Sequence, residues 1–444
     1  MNRLLISAGL AIGLSAPLFA AESVNYKDET LIKQGEYLAR AGDCVACHTA
    51  SGGKPFAGGL PMESPVGTIF STNITPDKQT GIGEYSFEDF DNAVRHGIGK
   101  DHTLYPAMPF PSYARVSDSD MHALYAYFMN GVEPVSQANK PTDIAWPMSM
   151  RWPLTVWRWM FAPEVKAFVP ETGQDPVVAR GAYLVEGLGH CGACHSPRGI
   201  GMQEKALTSA DGELYLSGGD AMEGWVAKNL RGDVRDGLGG WTEEQLVQFL
   251  STGRTEHTAV FGSMSDVVTQ SMQYMTQEDL TAIARYLKSL PPASAEQTPF
   301  KYDDTAFKAL FNGDDSAIGA SVYVDSCAAC HRTDGKGYAE VFPALAGNSA
   351  LATKDATSLI HIVLKGGTLP STFKAPTSYT MPGFDTRLTD KQVADVVNFI
   401  RNSWGNQAAP VTESDVASVR KDVKAAAYGS APAPEAVGSS EVAK

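Results

Sequence analysis

Three copies of one short cysteine–histidine motif constrain this chain more than any other feature. The motifs are Cys44-Val-Ala-Cys47-His48, Cys191-Gly-Ala-Cys194-His195 and Cys327-Ala-Ala-Cys330-His331, and they use all six cysteines of the 444-residue sequence. Two thiols at this spacing reach the two vinyl groups on one edge of a porphyrin, and the adjacent histidine places a ring nitrogen under the iron. The motifs therefore predict three covalently bound haem c groups, attached through the six cysteines and ligated by His48, His195 and His331.

Other uses of paired cysteines fit the motifs less well. A structural zinc ion needs four ligands, usually from two such pairs, and a redox dithiol needs one pair in an α/β setting. Three disulfides would suit an exported chain. None of these alternatives explains a histidine directly after the second cysteine in all three copies.

The sequence around the motifs repeats as well. A helical stretch with Gly35, Gly181 or Gly319 precedes each motif, and a second helix is predicted to end at Gly97, Gly253 or Gly366. A final helix begins at a polar cap, and an aromatic residue follows ten positions later, where we expect it to pack against the first helix. These caps and aromatics are Ser117 with Tyr127, Thr276 with Tyr286, and Thr389 with Phe399. The pattern predicts an all-α protein of three tandem cytochrome c (class I-like) domains.

A methionine lies in the loop before each final helix. Met108 and Met381 each precede a proline, whereas Met264 has Met272 and Met275 nearby. A thioether opposite the histidine would complete a His/Met pair and raise the reduction potential of the iron; the alternative is that these methionines only fill gaps in a core. We expect Met108, Met264 and Met381 to be the second ligands. The remaining histidines offer a bis-histidine haem as the alternative, but ordinary surface or core positions are expected for all six: His96, His102, His122, His190, His257 and His361.

The chain divides into segments around these repeats. Residues 1–21 have the charge, apolar run and small residues of a signal peptide. The three domains are expected at 24–135, 170–293 and 308–406. Residues 136–169 form a linker rich in tryptophan and proline, which could meet a membrane interface, bind a partner or pack across its own domains. Residues 407–444 form a partly disordered tail in which Val416, Val419 and Val423 share a helical face; this stretch is expected either to be solvated or to dock on a membrane or partner.

Charge and hydropathy limit the partners of the protein. The formal net charge is −14, which argues against nucleic acid, since that ligand calls for a basic face. After the predicted signal peptide no segment has 18 uninterrupted apolar residues, so we expect membrane contact to be peripheral.

Several stretches resemble a known family. Residues 35–48, 71–76 and 105–109 and the tryptophan-rich linker are similar to the trihaem cytochrome c subunit of bacterial membrane-bound dehydrogenases, and the likeness covers the mature chain. The amino-acid sequence of these stretches is most similar to that of the cytochrome subunit of gluconate 2-dehydrogenase. The resemblance implies a catalytic partner with FAD or pyrroloquinoline quinone, with or without a small third subunit. It also implies electron transfer through three haems to ubiquinone, at the periplasmic face of the cytoplasmic membrane.

Other functions stay open at this point. The partner could instead be an alcohol dehydrogenase or another polyol or aldehyde dehydrogenase. A self-contained multihaem reductase or peroxidase would need an iron with an open sixth position, and a subunit of a terminal oxidase would usually bring a membrane anchor. The chain itself has no Gly-x-Gly-x-x-Gly loop in a strand–helix context and no other segment suited to oxidising an organic substrate.

Overall fold

The computed structural model describes residues 24–294 and 297–426. The predicted signal peptide lies outside the described residues. In the described ranges the protein is mainly α-helical, with three very small antiparallel sheets. The helices are α1 Glu29–Ala41, α2 Cys44–Cys47, α3 Phe87–His96, α4 Phe110–Tyr113, α5 Asp118–Asn130, α6 Trp152–Phe161, α7 Pro176–Tyr183, α8 Gly192–His195, α9 Glu243–Thr252, α10 Met264–Asp266, α11 Gln277–Ser289, α12 Thr305–Phe311, α13 Ala320–Ser326, α14 Ala328–His331, α15 Thr357–Lys365, α16 Asp390–Asn402 and α17 Glu413–Ala426.

The strands and irregular turns are short. Hairpin β1–β2 is extended by β3, and β4 pairs with β5 and β6 with β7, all antiparallel. The strands are β1 Pro61–Ser64, β2 Gly67–Phe70, β3 Asp143–Ile144, β4 Ala221–Met222, β5 Trp225–Val226, β6 Gly367–Thr368 and β7 Thr380–Met381. Single 3₁₀ turns cover Ser209–Asp211, Met272–Tyr274 and Ser349–Leu351, and π turns cover Leu184–Leu188 and Val267–Ser271.

Helices that start and stop at sequence signals build three similar units. We call α1–α5 unit 1, α7–α11 unit 2 and α12–α17 unit 3; each has its own cluster of buried apolar side chains. The predicted caps Ser117, Thr276 and Thr389 are confirmed, because each side chain accepts a hydrogen bond from the backbone N–H three residues on. Gly97 and Gly253 end α3 and α9 in the left-handed conformation, as predicted.

Each unit is held by a close crossing of the helix before its motif with a later helix: α1 with α5, α7 with α11, and α13 with α16. A Cβ at Gly35 would lie 2.7 Å from Cβ of Tyr127, and one at Gly181 would lie 2.6 Å from Cβ of Tyr286. The same contact joins Gly319 and Phe399 at 3.0 Å. Only glycine lets two backbones approach this closely, so the predicted packing of the three aromatics against the first helices is confirmed.

Units 1 and 2 exchange equivalent hydrogen bonds across their interface. The Tyr37 hydroxyl donates to Asp279 at 2.6 Å, and the Tyr183 hydroxyl donates to Asp120 at 2.5 Å. Tyr37 and Tyr183 occupy matching positions in α1 and α7, as do the two aspartates in α5 and α11. The two units therefore pack through a pseudo-two-fold arrangement, which the sequence repeat alone does not reveal.

One extra residue distinguishes unit 2 before its motif. Cys44 follows Gly35 by nine positions, whereas Cys191 follows Gly181 by ten. The π turn Leu184–Leu188, with Gly187 at φ −104° and ψ −109°, takes up this residue. Gly187 is non-helical, so the chain kinks there, after the end of α7, and the helix crossing at Gly181 is preserved.

The tail is partly structured. Val416, Val419 and Val423 of α17 are buried in the apolar cluster of unit 3. Arg420 ties the same helix to α16 through Asp390, at 2.5 Å. The valine face is thus covered by its own unit, which differs from the solvated or docked stretch expected from sequence, and unit 3 extends past residue 406. The part of the tail after Ala426 lies outside the described residues.

The glycine crossing predicts the effect of a one-carbon change. Gly181→Ala should lower the free energy of unfolding of unit 2 by about 1–3 kcal/mol, because the clash with α11 outweighs the better helix propensity of alanine. Denaturant unfolding followed by far-UV circular dichroism measures this loss. Gly240→Ala is the matched control, since its Cβ would meet its nearest neighbour only at 3.7 Å. Equal stability of the two variants would contradict the crossing.

Candidate haem-attachment sites

Each cysteine–histidine motif forms a single helical turn shortly after the end of α1, α7 or α13. These turns are α2, α8 and α14. A non-glycine residue in the left-handed region flanks each turn: Asp43 at φ 48°, His190 at φ 36° and Arg332 at φ 63°. Such conformations cost free energy and persist where the surroundings enforce them. The motifs are therefore held in sharp bends that turn the chain at the end of the helix.

The three motif histidines share one hydrogen-bond arrangement. Nδ1 lies 2.7 Å from the carbonyl oxygen of Thr72 in His48, 2.7 Å from that of Lys228 in His195, and 2.9 Å from that of Pro343 in His331. Because a carbonyl oxygen only accepts, Nδ1 must carry the hydrogen, and Nε2 keeps a free lone pair. A backbone acceptor on the outer nitrogen is the usual way to orient a metal-bound imidazole.

Burial keeps the same rings uncharged. It lowers the pKa of His48 and His331 below the ordinary value, and it lowers the pKa of His195 to about 4. Only the neutral ring can coordinate iron. The hydrogen bonds and the burial together fit the haem chemistry that the motifs predict.

The cysteines are partly or fully exposed, and Cys47 and Cys194 are the exposed ones. All six lie in the described residues and none forms a disulfide. Burial raises the pKa of Cys44, Cys191 and Cys327 to about 12, which is opposite to the lowered pKa of a reactive dithiol. Among the described residues no three Cys, His, Asp or Glu side chains group as a metal ion would require. These observations favour thioether attachment over the zinc and dithiol alternatives.

The three predicted methionines follow the second helix of each unit at similar places. A short antiparallel pairing, Ile98 with Thr103 or Arg254 with Ala259, precedes Met108 and Met264, and Met381 itself lies in β7, which pairs with β6. Met108, Met264 and Met381 are half-buried and pack against the apolar cluster of their own unit. Met272 and Met275, in contrast, are buried inside the cluster of unit 2. Met264 begins the short helix α10 and is more exposed than these two neighbours, so it stays the predicted second ligand of unit 2.

Sequence reasoning missed the residues that orient the histidines. Thr72, Lys228 and Pro343 act through backbone oxygens, which no side-chain pattern marks. One signal was present, since Asn73 and Asn229 follow the first two acceptors directly. The side chain of each asparagine accepts a backbone hydrogen bond two residues on, from Thr75 and Arg231. The repeated asparagine therefore marks the turn that presents the carbonyl.

Two of the histidines assigned to ordinary roles lie at contacts between units. His361 of α15 stacks on Trp225 of unit 2 with ring centroids 4.0 Å apart, and its Nδ1 bonds to the carbonyl oxygen of Gly224 at 2.9 Å. His190 packs against Tyr113 of unit 1. Both are contact residues between units, in keeping with the structural roles expected for them.

Known proteins share this architecture along almost the whole chain. The family model "Cytochrome c" matches three regions, residues 32–131, 178–291 and 316–404. The chain belongs to the cytochrome c family. It is 64% identical to the gluconate 2-dehydrogenase cytochrome c subunit of Pantoea cypripedii, over 93% of this chain and 95% of the relative.

Other relatives are also cytochrome subunits of dehydrogenases. The cytochrome c subunit of the quinone alcohol dehydrogenase of Gluconacetobacter polyoxogenes is 53% identical over 95% of this chain and 90% of the relative. The fructose dehydrogenase cytochrome subunit of Gluconobacter japonicus is 36% identical over 88% and 82%. The predicted resemblance is confirmed, and this cytochrome carries three covalently bound haem c groups and transfers electrons. The bound haem supplies one-electron redox chemistry, while the protein supplies ligands, burial and spacing.

Met264 and Met272 give the sharpest test of the second ligand in unit 2. Met264→Ala should convert one of the three haems from a low-spin to a high-spin state, because the iron loses its sixth ligand. Electron paramagnetic resonance of the oxidised protein measures this change. Met272→Ala should leave all three haems low-spin and lower stability by about 2–5 kcal/mol, as expected for truncating a buried methionine. The reverse pattern would assign the ligand to Met272.

Proposed function

We propose that this cytochrome takes electrons from a dehydrogenase subunit that oxidises gluconate and passes them through its three haems to ubiquinone at the periplasmic face of the cytoplasmic membrane. The 64% identity to a gluconate 2-dehydrogenase subunit over nearly the full length of both chains carries this proposal. The partner would bind FAD, with or without a small third subunit. In this assignment the haem ligands are His48 with Met108, His195 with Met264, and His331 with Met381, and each haem is attached through the two cysteines of its motif.

The order of the units supports stepwise transfer. Unit 2 contacts both of the others: it shares the tyrosine–aspartate exchange with unit 1 and several contacts with unit 3. Lys228, whose carbonyl orients His195, donates from Nζ to Ser349 of unit 3 at 2.5 Å. The Trp225–His361 stack lies at the same interface. Packed units hold their redox centres at fixed separations, which a chain of one-electron steps requires.

An alcohol dehydrogenase with pyrroloquinoline quinone is the second candidate partner. The observation in its favour is the 53% identity to the cytochrome subunit of a quinone alcohol dehydrogenase. The catalytic site in either case belongs to another chain, which distinguishes both candidates from a self-contained reductase or peroxidase.

The tryptophan-rich linker supports membrane contact. One face of α6 packs on the protein, since Nε1 of Trp157 donates to the carbonyl oxygen of Gly201 at 2.6 Å and its ring meets Phe110. The opposite face is open, with Trp159 80% exposed and Trp152 65% exposed. Trp146, Met148 and Met160 add to this surface. Exposed tryptophan beside Arg151 and Arg158 suits the headgroup region of a bilayer.

Two features limit which part of the protein can contact a membrane. Within the described residues no helix is both long and apolar enough to cross a bilayer. The valine face of α17 is buried in unit 3, so it is not available to lipid. The linker surface is therefore the better candidate for peripheral contact.

Reduction by a purified partner tests the proposed function. When the oxidised cytochrome is mixed with the catalytic subunit of gluconate 2-dehydrogenase, gluconate should reduce all three haems, as read from the visible absorption bands. The catalytic subunit of a quinone alcohol dehydrogenase with ethanol is the comparison. Faster reduction by the alcohol enzyme would reverse the choice of partner. Reduction by neither enzyme would contradict a dehydrogenase partner of these two kinds.

Vesicle binding tests the linker surface. The double variant Trp152→Ser/Trp159→Ser should bind anionic phospholipid vesicles at least about tenfold more weakly. Each indole that inserts into the membrane surface contributes more than about 1 kcal/mol to binding. Sedimentation with vesicles measures this loss. Phe311→Ser is the matched control, since Phe311 is 74% exposed but lies in unit 3. Truncation after Ala426 should leave binding unchanged, whereas a loss on that truncation would assign the anchor to the tail.

A further inference from the structure

The linker helix α6 begins against the loop that carries Met108. Oγ1 of Thr155 lies 3.0 Å from Oγ1 of Thr103. The guanidinium group of Arg151, directly before α6, donates from Nη1 to the carbonyl oxygen of Thr103 at 3.4 Å. The same group lies over the ring of Tyr105, 4.1 Å from its centroid. These contacts hold the part of the loop that leads into Met108.

The same helix contacts the chain just after Met108. The ring of Trp157 meets the ring of Phe110 edge-on, with centroids 6.0 Å apart. Phe110 follows Met108 by two positions and is only 1% exposed. Nε1 of Trp157 also donates to the carbonyl oxygen of Gly201 in unit 2 at 2.6 Å. The indole is therefore fixed between unit 2 and the residues that follow the methionine.

Farther along, the linker pairs with the chain that leaves α4. The backbone N–H groups of Lys166 and Phe168 donate to the carbonyl oxygens of Ala114 and Arg115, at 3.0 and 2.9 Å. The linker thus contacts the segment 103–115 on both sides of its methionine. Contacts at several points restrict the conformations open to a loop, which is the entropy that ligand binding would otherwise have to overcome.

The Met108 loop has little regular structure of its own. Met264 lies in α10 and Met381 in β7, whereas Met108 lies in neither a helix nor a strand. Among the described residues, the side chains of Thr103 and Tyr105 make their hydrogen-bond and ring contacts with Arg151 and α6, and the Tyr105 hydroxyl has no partner. The position of this loop therefore depends on the linker more than on the rest of unit 1.

We infer that the linker holds the Met108 loop in the conformation in which the thioether can bind the iron of haem 1, the haem attached at the first motif. Arg151 and Trp157 are positioning residues, because they act through the loop and not on the iron. A haem that loses its methionine has a lower reduction potential, so the linker contributes to the driving force for electron transfer into haem 1. The inference rests on the Met108 ligation of the proposed function and not on the identity of the partner enzyme.

Imidazole competition measures how firmly Met108 is held. Imidazole binds a ferric haem whose methionine has left, so its apparent affinity rises with the fraction of haem 1 that lacks the thioether. The full-length oxidised cytochrome with three haems is titrated and followed by its visible absorption. Met108→Ala identifies the spectral change that belongs to haem 1. Arg151→Ala and Trp157→Ala should each tighten imidazole binding to haem 1 at least about fivefold, because each deletes a contact that holds the loop.

Two further variants separate this role from a general effect on stability. Val156→Ala is the control on the same helix, since Val156 is 43% exposed, and it should bind imidazole as the parent protein does. Tyr105→Leu removes the ring under Arg151. Combined with Arg151→Ala, it should add less than the product of the two single effects, because both changes delete one shared contact. Haems 2 and 3 should keep the imidazole affinity of the parent protein in every variant.

Three results would overturn the inference in distinguishable ways. If Met108→Ala leaves the spectra of all three haems unchanged, the Met108 ligation of the proposed function is wrong. If Met108→Ala acts as expected but neither linker variant differs from the parent protein, the ligation stands and the linker does not hold the loop. Tighter imidazole binding at all three haems would indicate a general loss of packing instead of a specific hold on haem 1.

Discussion

Each unit depends on the close crossing of the helix before its motif with a later helix, which pairs α1 with α5, α7 with α11 and α13 with α16. Gly35, Gly181 and Gly319 let two backbones approach until the glycine faces the Cβ of an aromatic residue on the partner helix. This crossing fixes the end of the helix before the motif, and the motif turn follows shortly after. The motif histidine can then meet a backbone carbonyl from the loop that follows, and its ring is locked with Nε2 free. Helix packing several residues away therefore orients the motif histidine for binding the haem iron.

The packing of the three similar haem domains against one another supports the proposed electron-transfer path. The hydrogen bonds Tyr37–Asp279 and Tyr183–Asp120 are directional and partly buried, so they fix the rotation of one unit against the other. The third unit is joined differently, through Lys228, Trp225 and His361. Unit 2 contacts both of these neighbours, which supports the proposal that its haem is the middle step.

Helix α6 combines two of the alternatives considered for the linker. Its Trp157 face packs across units 1 and 2, and its Trp159 face is exposed. A single helix can do both because its opposite faces are separated by about half a turn.

The sequence by itself determined the repeats, the helix boundaries and the haem chemistry. Caps such as Thr276, end glycines such as Gly253 and the motif spacing act locally, over a few residues, and local rules can be read from the chain. Tertiary structure alone decided what depends on distant residues: the carbonyls of Thr72, Lys228 and Pro343, the tyrosine–aspartate exchange, and the contacts of the linker with the Met108 loop. It also decided the role of α17, because an amphipathic valine stripe looks the same whether lipid, a partner or its own core covers it. Only the fold brings that stripe against unit 3, since burial depends on which surfaces meet in space.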